Sequence, residues 1–229
     1  LCVETGVPVT WGMFSNRRAP DYWRQFFGLL DDVADAGGRM FAQVHSRALN
    51  VLFTFESNTP FDSWEGWRDI RKLPLAEQKA KLADPELKAK LAAIASAPSE
   101  RHKERGANVR PPDWHWMFYM DTVDGPHRRM DELAQERGVS PAELFIDLAL
   151  ESDLKAIFRQ PIANELDDDV IEMMKHPRSV VTFSDSGAHV SQIMDSSLQT
   201  HVFSHWVRER EAITLEDAGR MVTLEPALQ

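Results

Sequence analysis

Residues 179–189 read SVVTFSDSGAH, and this stretch decides the predicted fold. Its first five residues are rich in β-branched side chains, a composition typical of a short buried strand. The polar turn that follows places Asp185 just past the carboxyl end of the strand. Ligands bind and chemistry takes place at that end of the strands in α/β architectures. The stretch therefore predicts a site carboxylate, with an ordinary turn or N-cap residue as the alternative.

Regular α/β units lie on both sides of this stretch. Near the start of the chain, residues 7–13 and 39–44 are predicted strands, separated by a helix that runs from Tyr22 to the Gly37-Gly38 stop. The connections are short, which predicts a parallel crossover. Further helices are predicted from Asp84, which caps a helix with Pro85 at its first position, and at residues 127–137, 140–150, 167–175 and 197–210, with a last one opened by Thr214. The helix at residues 140–150 is predicted to start with a capping box of Ser140 and Glu143. Residues 114–120 are predicted to form a further strand.

Composition limits the classes of protein that the chain can belong to. It has 229 residues with 43% hydrophobic and 27% charged side chains, values that are normal for a globular domain. A net charge of −10 argues against nucleic acid as a partner. The single cysteine, Cys2, excludes an intrachain disulfide and predicts a reducing, cytoplasmic setting. No apolar run approaches the ~20 residues that span a membrane, so no membrane partner is predicted. The chain opens without Met, and we expect it to be a piece of a longer protein.

Polar side chains follow each predicted strand. His45 and Arg47 come directly after the strand at residues 39–44, and Asp185 follows the strand at residues 179–183. Because parallel strands end at one edge of a sheet, these side chains are expected to converge. A carboxylate can act as a general acid/base, and the planar fork of an arginine can bind a substrate carboxylate. Structural hydrogen bonding is the alternative for the histidine and the arginine.

His201 and His205 form the remaining candidate metal pair. Their i, i+4 spacing places both rings on one helix face, as in some zinc sites. Val202 stands where the HExxH motif has its glutamate. The sequence therefore favours packing or a surface pair over a zinc site.

Four stretches share their order with the motifs of one enzyme family. They are ETGVPVTW (4–11), GGRMFAQVHSR (37–47), FSDSGAH (183–189), and WVRER (206–210) with TLEPA (223–227). Through these motifs, nearly the whole chain resembles the C-terminal half of the barrel in the amidohydrolase superfamily, specifically its N-acyl-D-amino-acid deacylase (D-aminoacylase) branch.

The resemblance implies an α/β fold: a partial metal-dependent-hydrolase (β/α)8 TIM barrel (C-terminal strands and helices) with a mostly helical insertion. Residues 1–49 would be a barrel βαβ unit and residues 50–126 an insertion between barrel elements. Residues 127–229 would hold the C-terminal barrel helices and the last barrel strand.

The resemblance also implies an activity: hydrolysis of a non-peptide C–N bond with one or two zinc ions. The substrate would be a small-molecule N-acyl amino acid or a related amide. Asp185 would be both a metal ligand and the catalytic acid/base. His45, Arg47, Ser186 and His189 would contact the substrate.

The chain departs from the family pattern at Trp11-Gly12-Met13, where deacylases place a further histidine. The family's His-x-His metal pair would lie before residue 1, so Asp185 and a candidate second ligand, His45, would bind zinc weakly or not at all. The fragment alone would then be inactive. Two alternatives stay open: a catalytically inactive barrel-derived binding module, and a cyclic-amide or lactone hydrolase. Uncovered strand edges in a partial barrel also predict a homo-oligomer.

Overall fold

The computed structural model describes residues 1–97, 111–184, 189, 191–194 and 196–228. Its fold is mixed α/β, with parallel and antiparallel strand pairs. The chain forms two compact units. Unit 1 consists of Leu1–Asn50 and Ile162–Gln229, and unit 2 consists of Val51–Pro161.

The described helices are short, and none is long and apolar enough to cross a membrane. In chain order they are α1 (Cys2–Thr5), α2 (Tyr22–Asp35), α3 (Trp67–Arg71), α4 (Leu75–Leu82), α5 (Pro85–Ser96), α6 (Met130–Arg137), α7 (Pro141–Glu151), α8 (Asp167–Lys175), α9 (Leu198–His201), a π-helix (Val202–Glu209), α10 (Leu215–Val222) and α11 (Leu224–Ala227). The strands are β1 (Val9–Met13), β2 (Met40–Val44), β3 (Leu49–Phe53), β4 (Phe118–Tyr119), β5 (Arg128–Arg129), β6 (Phe158–Ala163), β7 (Ser179–Val181) and β8 (Ile193–Met194).

Unit 1 contains a parallel sheet in the order β1-β2-β7. The register pairs Met13 of β1 with Val44 of β2, and Val44 with Val181 of β7. Helix α2 connects β1 to β2, so the predicted strand, helix and parallel strand are confirmed. All three strands therefore end at the same edge of the sheet.

A single apolar core holds this sheet against the helices of unit 1. Trp23 and Leu30 of α2, Met173 of α8 and Trp206 of the π-helix belong to it, together with Val44 of β2. All five side chains are at most 3% exposed. Burying a large apolar side chain stabilises a fold by roughly 1.5–3 kcal/mol, so this core fixes the positions of the strand ends.

Unit 2 has a largely aromatic core. Phe61 stacks on Trp67 with ring centroids 4.6 Å apart, and Phe145 contacts Phe158 at 4.2 Å. Two predicted helix starts are confirmed here. The Asp84 side chain accepts hydrogen bonds from two backbone N–H groups of α5, and Ser140 forms a capping box with Glu143 at the start of α7.

Several boundaries differ from the prediction. The predicted strand at residues 179–183 ends at Val181, and of the one predicted at residues 114–120 only Phe118–Tyr119 is extended. The helix predicted at residues 127–137 begins at Met130, and the one predicted at 197–210 continues from α9 as a π-helix. The starts of α6, α9 and the π-helix have no side-chain capping hydrogen bond that residue types could have indicated, and local periodicity does not report tertiary packing.

The limits of the two compact units also differ from those of the predicted segments. Unit 2 begins at Val51, next to the predicted start of the insertion, and ends at Pro161 instead of residue 126. Helices α6 and α7, assigned from the sequence to the last segment, pack in unit 2. That unit 2 is an insertion between barrel elements stays a prediction.

Candidate functional site

The candidate site lies at the carboxyl edge of the parallel sheet in unit 1. Ser15 follows β1, and His45 and Arg47 follow β2, as predicted from the sequence. Ser184 follows β7 and is the last described residue before Asp185. Asp185 and Ser186 lie outside the described residues. His189 is exposed, and its carbonyl oxygen accepts hydrogen bonds from the backbone of Gln192 and Ile193 within its own turn.

The His45 ring has a defined orientation. The residue is fully buried, and its Nδ1 lies 2.9 Å from the carbonyl oxygen of Arg47. A carbonyl oxygen can only accept, so a hydrogen bond at this distance requires the hydrogen on Nδ1. The backbone N–H of Arg47 lies farther away, 3.4 Å from the same Nδ1, and would require the opposite tautomer. The shorter contact assigns the hydrogen to Nδ1 and leaves the lone pair on Nε2.

Asn164 ties the ends of β1 and β2 together. Its Oδ1 accepts a hydrogen bond from the backbone N–H of Ser15 at 2.8 Å, and its Nδ2 donates to the carbonyl oxygen of His45 at 3.3 Å. Its own backbone N–H donates to the carbonyl of Ser15 at 3.0 Å. Asn164 is 1% exposed and adopts a left-handed conformation with φ 56°, which Asn tolerates better than most residues. Sequence reasoning missed Asn164; a lone Asn directly after an apolar stretch was the available signal.

The next residue of the loop, Ser46, is held from the opposite direction. Its carbonyl oxygen accepts a hydrogen bond from Nε1 of Trp206 at 2.7 Å, and its hydroxyl donates to the carbonyl of Leu198 at 2.6 Å. Ser46 is fully buried and Trp206 is 1% exposed. Helix α9 and the π-helix therefore fix the loop that carries His45 and Arg47.

Arg47 reaches the same helical segment with its side chain. Its guanidinium donates a hydrogen bond to the Ser197 hydroxyl, immediately before α9. The predicted role of Arg47 in binding a substrate carboxylate is not tested by this contact.

His201 and His205 stack on one face of this segment, with ring centroids 4.7 Å apart and 12° between the planes. Nδ1 of His205 lies 2.8 Å from Glu209 and Nε2 lies 3.0 Å from Asp167. Burial lowers the pKa of His201 from 6.5 to about 4, and the positive charge of Arg47 adds to this effect. The two rings pack against each other, and His205 is hydrogen-bonded to Asp167 and Glu209, in agreement with the predicted packing or surface pair.

The lowered pKa of His201 predicts acid-sensitive stability. The unfolded chain takes up a proton near pH 6.5, whereas the folded chain resists it until about pH 4, so acidification favours unfolding across this window. With allowance for partial solvent exposure, the free energy of unfolding should fall by on the order of 1–2 kcal/mol across this window. Urea unfolding measured at about pH 7 and at about pH 5 gives the free energy of unfolding at each pH. Between the two, this free energy should decrease less in His201→Gln than in the unchanged chain. His189→Gln, at an exposed position, is the control; an equal decrease in H201Q and the unchanged chain would contradict the prediction.

Gly12 lies in β1, within the segment Trp11-Gly12-Met13. A Cβ atom at this position would lie 3.0 Å from the ring of Phe183 and 3.3 Å from the ring of Phe14. The two rings contact each other edge to face at 4.9 Å. A larger residue at position 12 would therefore press on Phe183, in the segment that leads from β7 to Asp185.

Among the described residues, no three His, Cys, Asp or Glu side chains form a group that could hold a metal ion. His45 by itself has the arrangement of a metal ligand, because bound histidines commonly donate their second N–H to a backbone carbonyl. It fits as one ligand of a larger set.

No protein-family model and no curated protein matches the chain. Two solved structures are similar to it, both of D-aminoacylase. The first comes from work on the functional role of the binuclear metal center in D-aminoacylase, with one-metal activation and second-metal attenuation. It is 13% identical to this chain, with a TM-score of 0.39, and the match covers 98% of this chain and 36% of that protein. The other is a D-aminoacylase mutant in complex with copper chloride, with 12% identity, a TM-score of 0.39 and coverage of 98% and 36%. This chain thus spans 36% of the length of either protein.

Proposed function

We propose that the chain is part of a metal-dependent amidohydrolase that cleaves a C–N bond other than a peptide bond, on a partial (β/α)8 barrel. The observation that carries the proposal is the state of His45. It is buried at the carboxyl edge of a parallel sheet, with the hydrogen on Nδ1 donated to a backbone carbonyl. This arrangement is typical of histidines that bind a metal through Nε2.

His45 and Asp185 are the residues that would hold the metal, with one or two zinc ions as the proposed group. Catalytic zinc sites use about three protein ligands, so these two need partners beyond the described residues. When bound, zinc would supply a water of lowered pKa and would polarise the scissile carbonyl. Asp185 would act as the acid/base: it would accept a proton from the attacking water, whose oxygen bonds to the carbonyl carbon, and return that proton to the leaving nitrogen as the C–N bond breaks.

The proposed substrate is an N-acyl-D-amino acid or a related amide. Arg47 would bind its carboxylate, since a guanidinium pairs with carboxylates through two parallel hydrogen bonds. Ser186 and His189 would contribute further substrate contacts. A homo-oligomer, a cytoplasmic location and the absence of nucleic-acid and membrane partners belong to the same proposal.

A catalytically inactive binding module is the second candidate, and one observation favours it. Trp11-Gly12-Met13 stands in the segment where the resemblance leads us to expect a histidine ligand, and a Cβ atom at Gly12 would lie only 3.0 Å from the ring of Phe183. Metal analysis of the full-length protein separates the two functions. A zinc-free preparation that hydrolyses no acyl-amino acid would favour the binding module, and a substrate panel with cyclic amides and lactones tests the remaining hydrolase alternative.

Asp185→Asn in the full-length protein tests the acid/base role. We expect the rate of amide hydrolysis to fall by roughly 10²–10⁴, the range that general acid–base catalysis contributes. Steady-state kinetics on N-acetyl-D-amino acids gives the measurement. Asp168→Asn is the matched control, because the Asp168 side chain is 99% exposed on α8 and should leave the rate unchanged. Activity of D185N within a few-fold of the unchanged protein would sink the acid/base assignment.

A further inference from the structure

Three consecutive carbonyl groups of the loop after β2 each accept a hydrogen bond from a side chain. Asn164 donates to the carbonyl of His45 at 3.3 Å, Trp206 to that of Ser46 at 2.7 Å, and His45 itself to that of Arg47 at 2.9 Å. Backbone–backbone hydrogen bonds are the usual partners of buried carbonyls. A loop held mainly by side chains has its peptide planes set by those side chains.

The peptide group between Ser46 and Arg47 faces both Trp206 and His45. Its oxygen accepts the bond from Nε1 of Trp206, and its N–H lies 3.4 Å from Nδ1 of His45. A peptide group is planar and rigid, so its oxygen and its N–H turn together. The hydrogen bond from Trp206 to the Ser46 oxygen therefore also fixes the N–H of Arg47, at 3.4 Å from Nδ1 of His45. At that distance the N–H is a weaker partner of Nδ1 than the Arg47 carbonyl oxygen at 2.9 Å.

Release of this peptide group would change the ratio of the two neutral tautomers of His45. If the N–H of Arg47 turned toward Nδ1 and approached a normal hydrogen-bond distance, it would require a lone pair on Nδ1 and so place the hydrogen on Nε2. The present orientation favours the other tautomer, in which Nδ1 donates to the Arg47 carbonyl.

We propose that Trp206 is a positioning residue that keeps His45 in the Nδ1–H tautomer by fixing the Ser46–Arg47 peptide plane. This tautomer would present Nε2 to a metal ion, and that use of it rests on the proposed function. The role of Trp206 in setting the tautomer does not rest on the proposed function, because the tautomer can be measured in the metal-free chain. Trp206 lies in the π-helix, a geometry that is rare in proteins and frequent at functional sites.

Trp23 provides a matched control for Trp206. Both indoles belong to the apolar core of unit 1, with exposures of 3% and 1%. Nε1 of Trp23 has no hydrogen-bond partner among the described residues, whereas Nε1 of Trp206 holds the Ser46 carbonyl. Trp23→Phe and Trp206→Phe therefore remove a similar volume from the same apolar core. Only Trp206→Phe also removes the hydrogen bond to the Ser46 carbonyl.

The test reads the His45 tautomer by long-range ¹H–¹⁵N correlation in the metal-free chain with ¹⁵N-labelled histidine. At about pH 8 a histidine of ordinary pKa, ~6.5, is neutral. His45→Gln identifies the His45 signals by their loss. We expect Nδ1–H in the unchanged chain and in Trp23→Phe, and a measurable fraction of the Nε2–H tautomer in Trp206→Phe. A tautomer ratio in W206F equal to that of the unchanged chain, or an equal change in W23F, would overturn the proposal.

A second measurement covers the case in which W206F does not fold. In the unchanged chain with ¹⁵N-tryptophan and ¹³C-carbonyl serine, we expect a scalar coupling across the hydrogen bond between Trp206 Nε1 and the Ser46 carbonyl carbon. Absence of this coupling would also overturn the proposal. Neither measurement depends on hydrolysis. A tautomer effect in this chain, with no activity and no metal in the full-length protein, would reject the amidohydrolase and leave the role of Trp206 standing. Activity of the full-length protein without a tautomer effect in this chain would reject the role of Trp206.

Discussion

Asn164→Ala is expected to lower the free energy of unfolding by about 3–5 kcal/mol. The substitution leaves the N–H of Ser15 and the carbonyl of His45 buried without their partner, at roughly 1–3 kcal/mol each. It also forces Ala into the left-handed conformation that Asn164 adopts at φ 56°, which costs roughly 1–2 kcal/mol. Thermal or urea unfolding, followed by circular dichroism, gives the measurement.

Two variants at the same position separate these contributions. Asn164→Gly removes the side chain and tolerates the positive φ, so its loss should be smaller than that of N164A by the conformational cost. Asn164→Asp keeps an acceptor for Ser15, but it replaces the donor to His45 with a second acceptor and buries a carboxylate, so it should lose more stability than the second hydrogen bond alone contributes. Equal stability of N164A and the unchanged chain would mean that Asn164 does not hold the strand ends.

Arg71→Met is the second substitution with a large expected effect, a loss of about 3–5 kcal/mol from unit 2. The Arg71 side chain is 6% exposed and lies 2.7 Å from Oδ1 of Asp62. Its guanidinium also donates to the carbonyls of Phe55 and Ser57, at 2.9 and 3.0 Å, and to the side chain of Gln78. Met fills similar space and removes the donor from these acceptors. Phe55 and Gln78 are buried, whereas Asp62 is 33% exposed and keeps the hydrogen bonds that it accepts from Thr59. The unpaired acceptors of Phe55 and Gln78 should therefore lower the midpoint of the unfolding transition.

Arg71→Lys and Lys79→Met are the companions of this variant. A lysine ammonium cannot serve four acceptors arranged around a planar fork, so R71K should recover only part of the loss. Lys79 forms an ion pair with Asp153 in which both side chains are about half exposed or more, at 47% and 65%, and K79M should cost at most ~1 kcal/mol. A loss in R71M no larger than that in K79M would show that the buried contacts of Arg71 contribute little.

Local chemistry explains which parts of the fold were predictable from the sequence. The caps at Asp84 and Ser140 act over two or three residues, so their residue types alone identified two helix starts. Strands β1 and β2 have short connections through α2, and their parallel pairing followed from this. Strand β6 was missed because Arg159, Gln160 and Pro161 interrupt its apolar pattern, although Phe158 and Arg159 pair with β4.

The candidate site was predictable in part for a similar reason. His45 and Arg47 were found because they directly follow a strand, and their hydrogen bonds lie within two residues of each other. Asn164 and Trp206 hold the same loop from sequence separations of 119 and 160 residues. No periodicity or motif in one chain reports contacts of that range, and only the folded unit brings them together.

Two of the three carbonyl contacts of the loop after β2, those made by Asn164 and Trp206, also bear on the order in which this region forms. Closing a chain over more than a hundred residues carries an entropic cost that the contact must offset, so such contacts are made only after distant segments have docked. The segment from β1 to β2 can therefore pair its strands early, by local contacts, while the loop at its end is still unshaped. We therefore expect the loop that carries His45 to reach its final position only when α9 and the π-helix dock, after β1 and β2 have paired.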